Sequence, residues 1–354
     1  MKSIIRILKR LSRIFQIIVS IKWARFWKLY RSDSEILIWI PNLSLFYCGS
    51  DAFIWDMATI AGLVAENKEF RVVTGKKIGS YHDKKIFFSI NSKYNIYGFD
   101  DYTNILLHIT RQLEIQGNEV FPKQCETIFW ENKTYMHQRF YMARVHEPRT
   151  RIFDSMKYLL NAKIKFPYLI KAEHSCSAEG LYKISDFSDL ARLMSDENFI
   201  RKNRHIIVQE LINMRKDLRV ILVEGEIVLH YWRINKDKEW KPTSTSYGTE
   251  VDFDFFPEQW RQHIIDTFRS LELTTGAFDI TWKDDDLSTE PIYLEVSPFY
   301  QPNPKMEVRK KAYAFYKQHF SLFNSWDVKY VDAVFRIKQK QVRAYLSASA
   351  ASAL

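Results

Sequence analysis

With 354 residues and 46% hydrophobic side chains, the chain can bury a sizeable core of about two domains or more, which excludes a disordered protein. A net charge of +10 suggests a nucleic-acid partner when it is spread over one face, but residues 1–31 hold nine Lys or Arg and no acid, leaving +10 − 9 = +1 for the rest. The body is nearly neutral, so no nucleic acid is expected, and Cys48, Cys125 and Cys176 stand too far apart for a disulfide framework or a zinc site, which fits a reducing cytosol.

Residues 1–31 read as a basic amphipathic helix. At about 100° per residue, Lys2, Arg6, Lys9, Arg10 and Arg13 gather on one arc, with Ile4, Leu8, Leu11, Phe15 and Ile18 opposite. Lys22 falls on the apolar arc and Ile17 near the basic one, so the pattern is imperfect. Trp23, Phe26, Trp27 and Tyr30 add aromatics suited to a membrane interface. The basic residues interrupt the apolar ones too often for a signal peptide, and the longest uncharged run, Ile14 to Ile21, is far shorter than the ~20 residues that span a bilayer. The expectation is a cytoplasmic protein, peripheral on the inner face of an anionic membrane through residues 1–31. The alternative is a helix packed on the protein's own core with a solvated basic face.

Next in the chain, Ile36 to Ile40 reads as a buried strand, Asp51 to Glu66 as a helix and Phe70 to Val73 as a second strand, giving a small α/β domain over residues 32–125. From 126 to 330 the texture is α+β. Phe166–Lys171, His205–Glu210, Leu218–Val223 and Ile227–Trp232 read as strands, with a tight hairpin at Glu224-Gly225-Glu226. Pro257–Leu271 reads as a helix, and strands at Phe278–Trp282 and Ile292–Val296 close the domain. Residues 331–354 are a tail whose Ser/Ala-rich end, from Ser347, is left out of the fold.

Several charged residues stand where chemistry needs them. Lys133 follows a turn, and Lys171 ends a strand before the polar loop His174 to Gly180, so two lysines from separate elements can clamp a polyphosphate; taken singly, each also reads as a solvated surface lysine. His174 and Cys176 have no evident orienting acid and do not read as a nucleophile pair. Asp279 stands between Phe278 and Ile280, and Glu295 between Leu294 and Val296. A carboxylate inside an apolar strand is costly unless it is paired or on a metal. Either the two hold Mg²⁺, or one of them pairs structurally with Arg219 or Arg233.

Together and in this order, these elements resemble the ATP-grasp superfamily over about residues 126–305, most closely its ribosomal-protein glutamate ligase and D-alanine:D-alanine ligase branches. Asn132-Lys133 and Glu147-Pro-Arg-Thr150 look like the opening lysine and the Pro-x-Thr strand start, and Phe166–Lys171 with the loop to Gly180 like the second lysine strand and the loop over the phosphates. Val208-Gln-Glu-Leu-Ile212 resembles the hinge that reads adenine, and Asp217-Leu-Arg219 the Asp-x-Arg after it. Gly276-Ala-Phe-Asp279 and Glu295-Val-Ser-Pro298 look like the paired metal strands.

The resemblance implies an ATP-grasp fold and a ligase that activates a carboxylate as an acyl phosphate and joins it to an amine, with ATP and Mg²⁺ as cofactors. It implies nucleotide contacts at Lys133, Lys171, Ser175, Ser177, Gly180, Gln209, Glu210, Leu211, Ile212 and Asp217, with Glu210 or Asp217 at the ribose. Arg219 and Arg233 fall beside the reacting groups, and Asp279, Glu295 and Ser297 on the metal. Two positions depart from the family: Ser297 replaces an asparagine, with Asn303 as a candidate substitute, and the loop is glycine-poor. An amino acid joined to a lipid-linked or cell-surface glycan precursor is the expected substrate pair, an ATP-grasp-fold kinase and an inactive membrane-surface binding protein are the alternatives, and a homo-oligomer stays open.

Overall fold

The computed structural model describes residues 2–40, 47, 51–75, 78–89, 102–130, 132–175, 180–237, 239–244, 247–305 and 325–351. The chain divides into two compact units, one of residues 1–127 with 301–354 and one of residues 128–300. The second unit thus stops at Tyr300 instead of 330, and the C-terminal residues join the first.

The first unit begins with helices α1 (Lys2–Ser20) and α2 (Trp23–Leu29). Strands β1 (Ile36–Ile40), β2 (Arg71–Thr74), β3 (Lys85–Phe88) and β4 (Glu119–Phe121) form a parallel sheet in the order β2-β1-β3-β4. All five residues of β1 are buried, which is why Ile-Leu-Ile-Trp-Ile reads as an unbroken apolar run. Helices α3 (Asp51–Ala65), α4 (Tyr102–Ile115) and α5 (Gln124–Thr127) accompany the strands.

In the second unit, α6 (Lys133–Met142) precedes β5 (Thr150–Phe153), α7 (Met156–Asn161), β6 (Tyr168–Lys171), β7 (Leu181–Ile184), α8 (Phe187–Met194), α9 (Glu197–Lys202) and β8 (Ile206–Glu210). The strands pair antiparallel in the order β5-β8-β6-β7. Strand β6 starts at Tyr168, later than expected, because Pro167 has no N–H to give the ladder.

A second antiparallel sheet holds β9 (Lys216–Val223), β10 (Glu226–Ile234), β11 (Glu250–Asp252), β12 (Thr275–Thr281) and β13 (Ile292–Ser297), in the order β11-β10-β9-β12-β13. Glu224 and Gly225, both in the left-handed region with φ 51° and 74°, make the expected tight hairpin between β9 and β10. The expected helix from Pro257 opens with one 3₁₀ turn, Glu258–Trp260, before α10 (Arg261–Ser270). One side of the sheet supplies Leu218, Val220, Leu222, Trp232, Phe278 and Ile280 to a core shared with Met136 and Phe140 of α6 and Ile264 and Phe268 of α10. A Cβ on Gly276 would lie 2.9 Å from the Phe268 ring, so only glycine lets β12 lie this close to α10.

After the second unit, α11 (Ser325–Ala351) packs on α3 in the first, and the Ser/Ala-rich end continues this helix as far as Ala351.

Candidate active site

The sheet of β9 to β13 alternates, so the side opposite its apolar core takes the polar residues between the core ones. Residues opposite one another in register share a side. Arg219 faces Tyr231 on one neighbour and Asp279 on the other, Asp279 also faces Glu295, and Asp217 faces Arg233. One row across the sheet therefore reads Tyr231, Arg219, Asp279, Glu295, with Arg233 and Asp217 beside it.

The charges in these rows interlock. Arg219 donates from Nε and Nη2 to the two oxygens of Asp279 at 2.7 Å each. Arg233 places Nη2 2.8 Å from Asp279 Oδ2 and donates Nε to Asp217 Oδ1 at 2.7 Å, and Thr243 Oγ1 donates to Asp217 Oδ2 at 2.7 Å. Burial alone would raise the Asp279 carboxyl, but the guanidiniums of Arg219 and Arg233 hold it well below the usual carboxylate range. Asp279 thus takes the arginine partners that the sequence left as one of its two alternatives. Asp217 is committed to Arg233 and Thr243, which leaves Glu210 as the exposed one of the two acids expected at the ribose.

Two lysines converge on Leu294 and Glu295 of β13. Lys133, the first residue of α6, follows the helix cap Asn132, whose side chain accepts from Tyr135 N at 3.1 Å. Lys133 Nζ donates to the carbonyl of Ser175 at 2.5 Å and to its Oγ at 3.1 Å, and lies 3.9 Å from Glu295 Oε1. Lys171, the last residue of β6, donates Nζ to the carbonyl of Leu294 at 3.3 Å. That carbonyl is available because the pairing of β12 with β13 slips between Asp279 and Ile280, making Leu294 the extra residue of a β-bulge. Burial pushes the Lys171 ammonium down to about 8, with Glu295 opposing the shift and Lys133 adding to it.

Gly180 returns the chain to the end of β6. Gly180 has φ 70°, its carbonyl accepts from Ala172 N at 2.7 Å, and a Cβ there would sit 2.5 Å from that of Ala172. Ser175 sits against Lys133, whereas Ser177 and Cys176 lie outside the described residues. At the end of β8, Gln209 is buried and donates Nε2 to Thr150 Oγ1 at 3.0 Å, while Glu210 accepts from Arg149 N at 3.1 Å. Leu211 and Ile212 are partly exposed in the connection to β9.

Residues 131–298 match the sequence profile of the RimK-like ATP-grasp domain. The chain carries a RimK-like ATP-grasp domain. Such a domain implies ATP and Mg²⁺ as cofactors and ADP-forming ligation as the reaction class. The fold is similar to that of an ATP-grasp RimK-domain protein from Sphaerobacter thermophilus, at a TM-score of 0.51 and 12% identity over 85% of this chain and 99% of that one. It is also similar to D-alanine–D-alanine ligase from Bacillus anthracis, solved with ATP, at 0.53 and 14% over 86% and 98%. D-cycloserine synthetase follows at 0.54 and 10% over 86% and 99%. At these identities the likeness is one of fold. No curated protein matches the chain.

The donor set in the ATP-grasp domain fits these cofactors. Lys171 is a buried ammonium whose neighbours include a second lysine, so a polyphosphate would supply the negative charge that the site lacks. Mg²⁺ is usually held by one or two carboxylates together with substrate phosphates. Asp279 and Glu295 are two carboxylates facing each other in register, but both Asp279 oxygens are taken by Arg219 and Arg233 and no three His, Cys, Asp or Glu side chains gather as a metal site among the described residues. The Ser297 hydroxyl donates to the Phe299 carbonyl at 2.6 Å and so is engaged in its own turn. Asn303 falls in the other unit.

Sequence reasoning missed His137 and gave Glu147 only a place in a strand motif. His137 lies one helical turn after Lys133, is buried, and shares a short hydrogen bond with Glu147. Burial pushes its imidazole down, opposed by Glu147 and reinforced by Lys171 and Lys133. The i, i+4 spacing from Lys133 was the available signal. Glu173 was missed too; it accepts from His205 Nδ1 at 2.6 Å, and its backbone carbonyl accepts from Lys133 N at 3.1 Å.

Proposed function

We propose that this chain joins a carboxylate to an amine with conversion of ATP to ADP, and that Lys133, Lys171, Asp279, Glu295, Arg219 and Arg233 form the reacting centre. The observation that carries this reading is the convergence of Lys133 on Glu295 and of Lys171 on the neighbouring Leu294 carbonyl, with Glu295 in register with the Arg219–Asp279–Arg233 cluster.

In this reading Lys133 and Lys171 hold phosphate oxygens. Fixed cations placed where negative charge grows stabilise a phosphoryl transfer without reorganising. Asp279 and Glu295 would hold Mg²⁺, which supplies further charge neutralisation when bound. Arg219 and Arg233 keep Asp279 ionised and aimed, and their guanidiniums are the nearest cations for a substrate carboxylate. Gln209 to Ile212 offer backbone groups for the base, with Glu210 the exposed acid for the ribose. Ser175 and Gly180 shape the loop beside the phosphates.

The amine needs no dedicated base in this account, because it loses its proton only after attack has begun. The basic, acid-free segment 1–31 supports an acceptor presented at a membrane, such as a lipid-linked or cell-surface glycan precursor. The test is ADP release against a panel of carboxylates, each with and without amine acceptors. The ligase reading expects release to need both partners. Release with a hydroxyl acceptor and no amine would replace it with a kinase.

A further inference from the structure

We propose that the outward side of α1 and α2 is a docking surface for an anionic lipid bilayer, presented ready-made by a polar latch on the inward side. This rests on the first unit alone and not on the ligase reading.

An amphipathic helix on a globular protein ordinarily buries its apolar side, but α1 leaves much of its apolar stripe outside. Ile7, Leu11, Ile18 and Val19 are 54%, 56%, 44% and 63% exposed, and Trp27 of α2 is 67% exposed. The side turned inward carries Ser12, Gln16, Ile17 and Ile21, all buried. Arg13 lies on that side as well. Its Nε and Nη2 donate to Asp327 Oδ1 of α11 at 3.2 and 3.0 Å, and its Nη1 to Asp51 Oδ1 of α3 at 3.2 Å.

The helix is thus fixed by ion pairs through Arg13, which the sequence pattern assigned to the basic arc, while a stripe of large apolar side chains meets water. The indole of Trp23, whose Nε1 donates to the Ile18 carbonyl at 2.8 Å, continues the stripe into α2, with Lys22 just before that helix and Lys28 within it exposed. Charge decides the occupant. Residues 1–31 hold nine basic residues and no acid, so a second copy would bring like charges together, whereas anionic headgroups complement them. Apolar side chains seated at the level of the headgroups, flanked by lysines and indoles, fit such a bilayer.

The test is co-flotation of the full chain with vesicles of phosphatidylglycerol and phosphatidylcholine, against phosphatidylcholine alone, with the melting temperature and the oligomeric state measured alongside. The expected result is binding to the anionic vesicles that weakens with salt. It should fall at least tenfold in Leu11→Glu/Ile18→Glu, with the melting temperature kept because both positions are exposed, and fall also in Lys22→Glu/Lys28→Glu. Equal binding to neutral vesicles, or unchanged binding in the two double variants, overturns the proposal. So does a wild-type dimer that the Leu11→Glu/Ile18→Glu variant dissociates while its vesicle binding persists.

Discussion

Lys171 is where burial and charge collide. Its ammonium, pushed down to about 8, is present in full below that pH and is lost as pH rises through it. A bound polyphosphate favours the ammonium, so affinity for Mg-ATP should fall above pH 8, by up to roughly tenfold per pH unit. Folding stability moves the other way. The unfolded chain keeps its proton to the ordinary lysine value of 10.5, so the Lys171 contribution to stability rises between about 8 and 10.5. In Lys171→Arg the charge persists, and titration calorimetry should find the decline above pH 8 gone. The buried arginines allow a second prediction. Arg233→Met leaves Asp217 buried with Thr243 alone and should cost about 3–5 kcal/mol in urea unfolding. Arg192→Met, which breaks an exposed pair with Asp189, should cost under about 1 kcal/mol. Lone charges in apolar strands were legible for Asp279 and Glu295, because alternation made them conspicuous. The commitment of Asp217 and Asp279 to arginines depended on register, which a single strand's sequence does not carry.

At the scale of elements, two glycines hold the site's supports in place. Gly180→Ala places a methyl group 2.5 Å from Ala172 Cβ in a backbone conformation that disfavours L side chains, so the contact of Gly180 with Ala172 should be lost and Mg-ATP binding weaken more than the melting temperature falls. Gly276→Ala presses on Phe268 in the core and should cost about 1–3 kcal/mol, with binding following stability. Comparing calorimetry with thermal melts separates the two. Many of the strands were visible as apolar runs, unbroken or alternating, and the Glu224-Gly225 hairpin as a turn signal. The bulge at Leu294 was not. Leu294 reads as one more apolar residue in its run, and only its pairing with β12 shows that its carbonyl is freed to accept Lys171.

For the whole molecule, the order of motifs along about residues 126–305 made the ATP-grasp domain legible from the sequence alone, since each element had to follow the last at a workable spacing. The grouping of residues 301–351 with the N-terminal part was not legible, because α11 meets α3 across nearly the whole sequence, a pairing that no local pattern encodes. The orientation of α1 was hidden for a similar reason: its moment was plain, but Asp51 and Asp327, which turn Arg13 inward, lie far away in sequence. The central claim is that the two buried lysines beside Glu295 bind the phosphates of ATP. Its most direct test is titration calorimetry of Mg-ATP into the wild type and Lys171→Met at pH 7. Loss of one charge-assisted contact, about 1.5–3 kcal/mol, predicts affinity at least roughly tenfold weaker in a variant that still melts cooperatively. Equal affinity in the two proteins would contradict it.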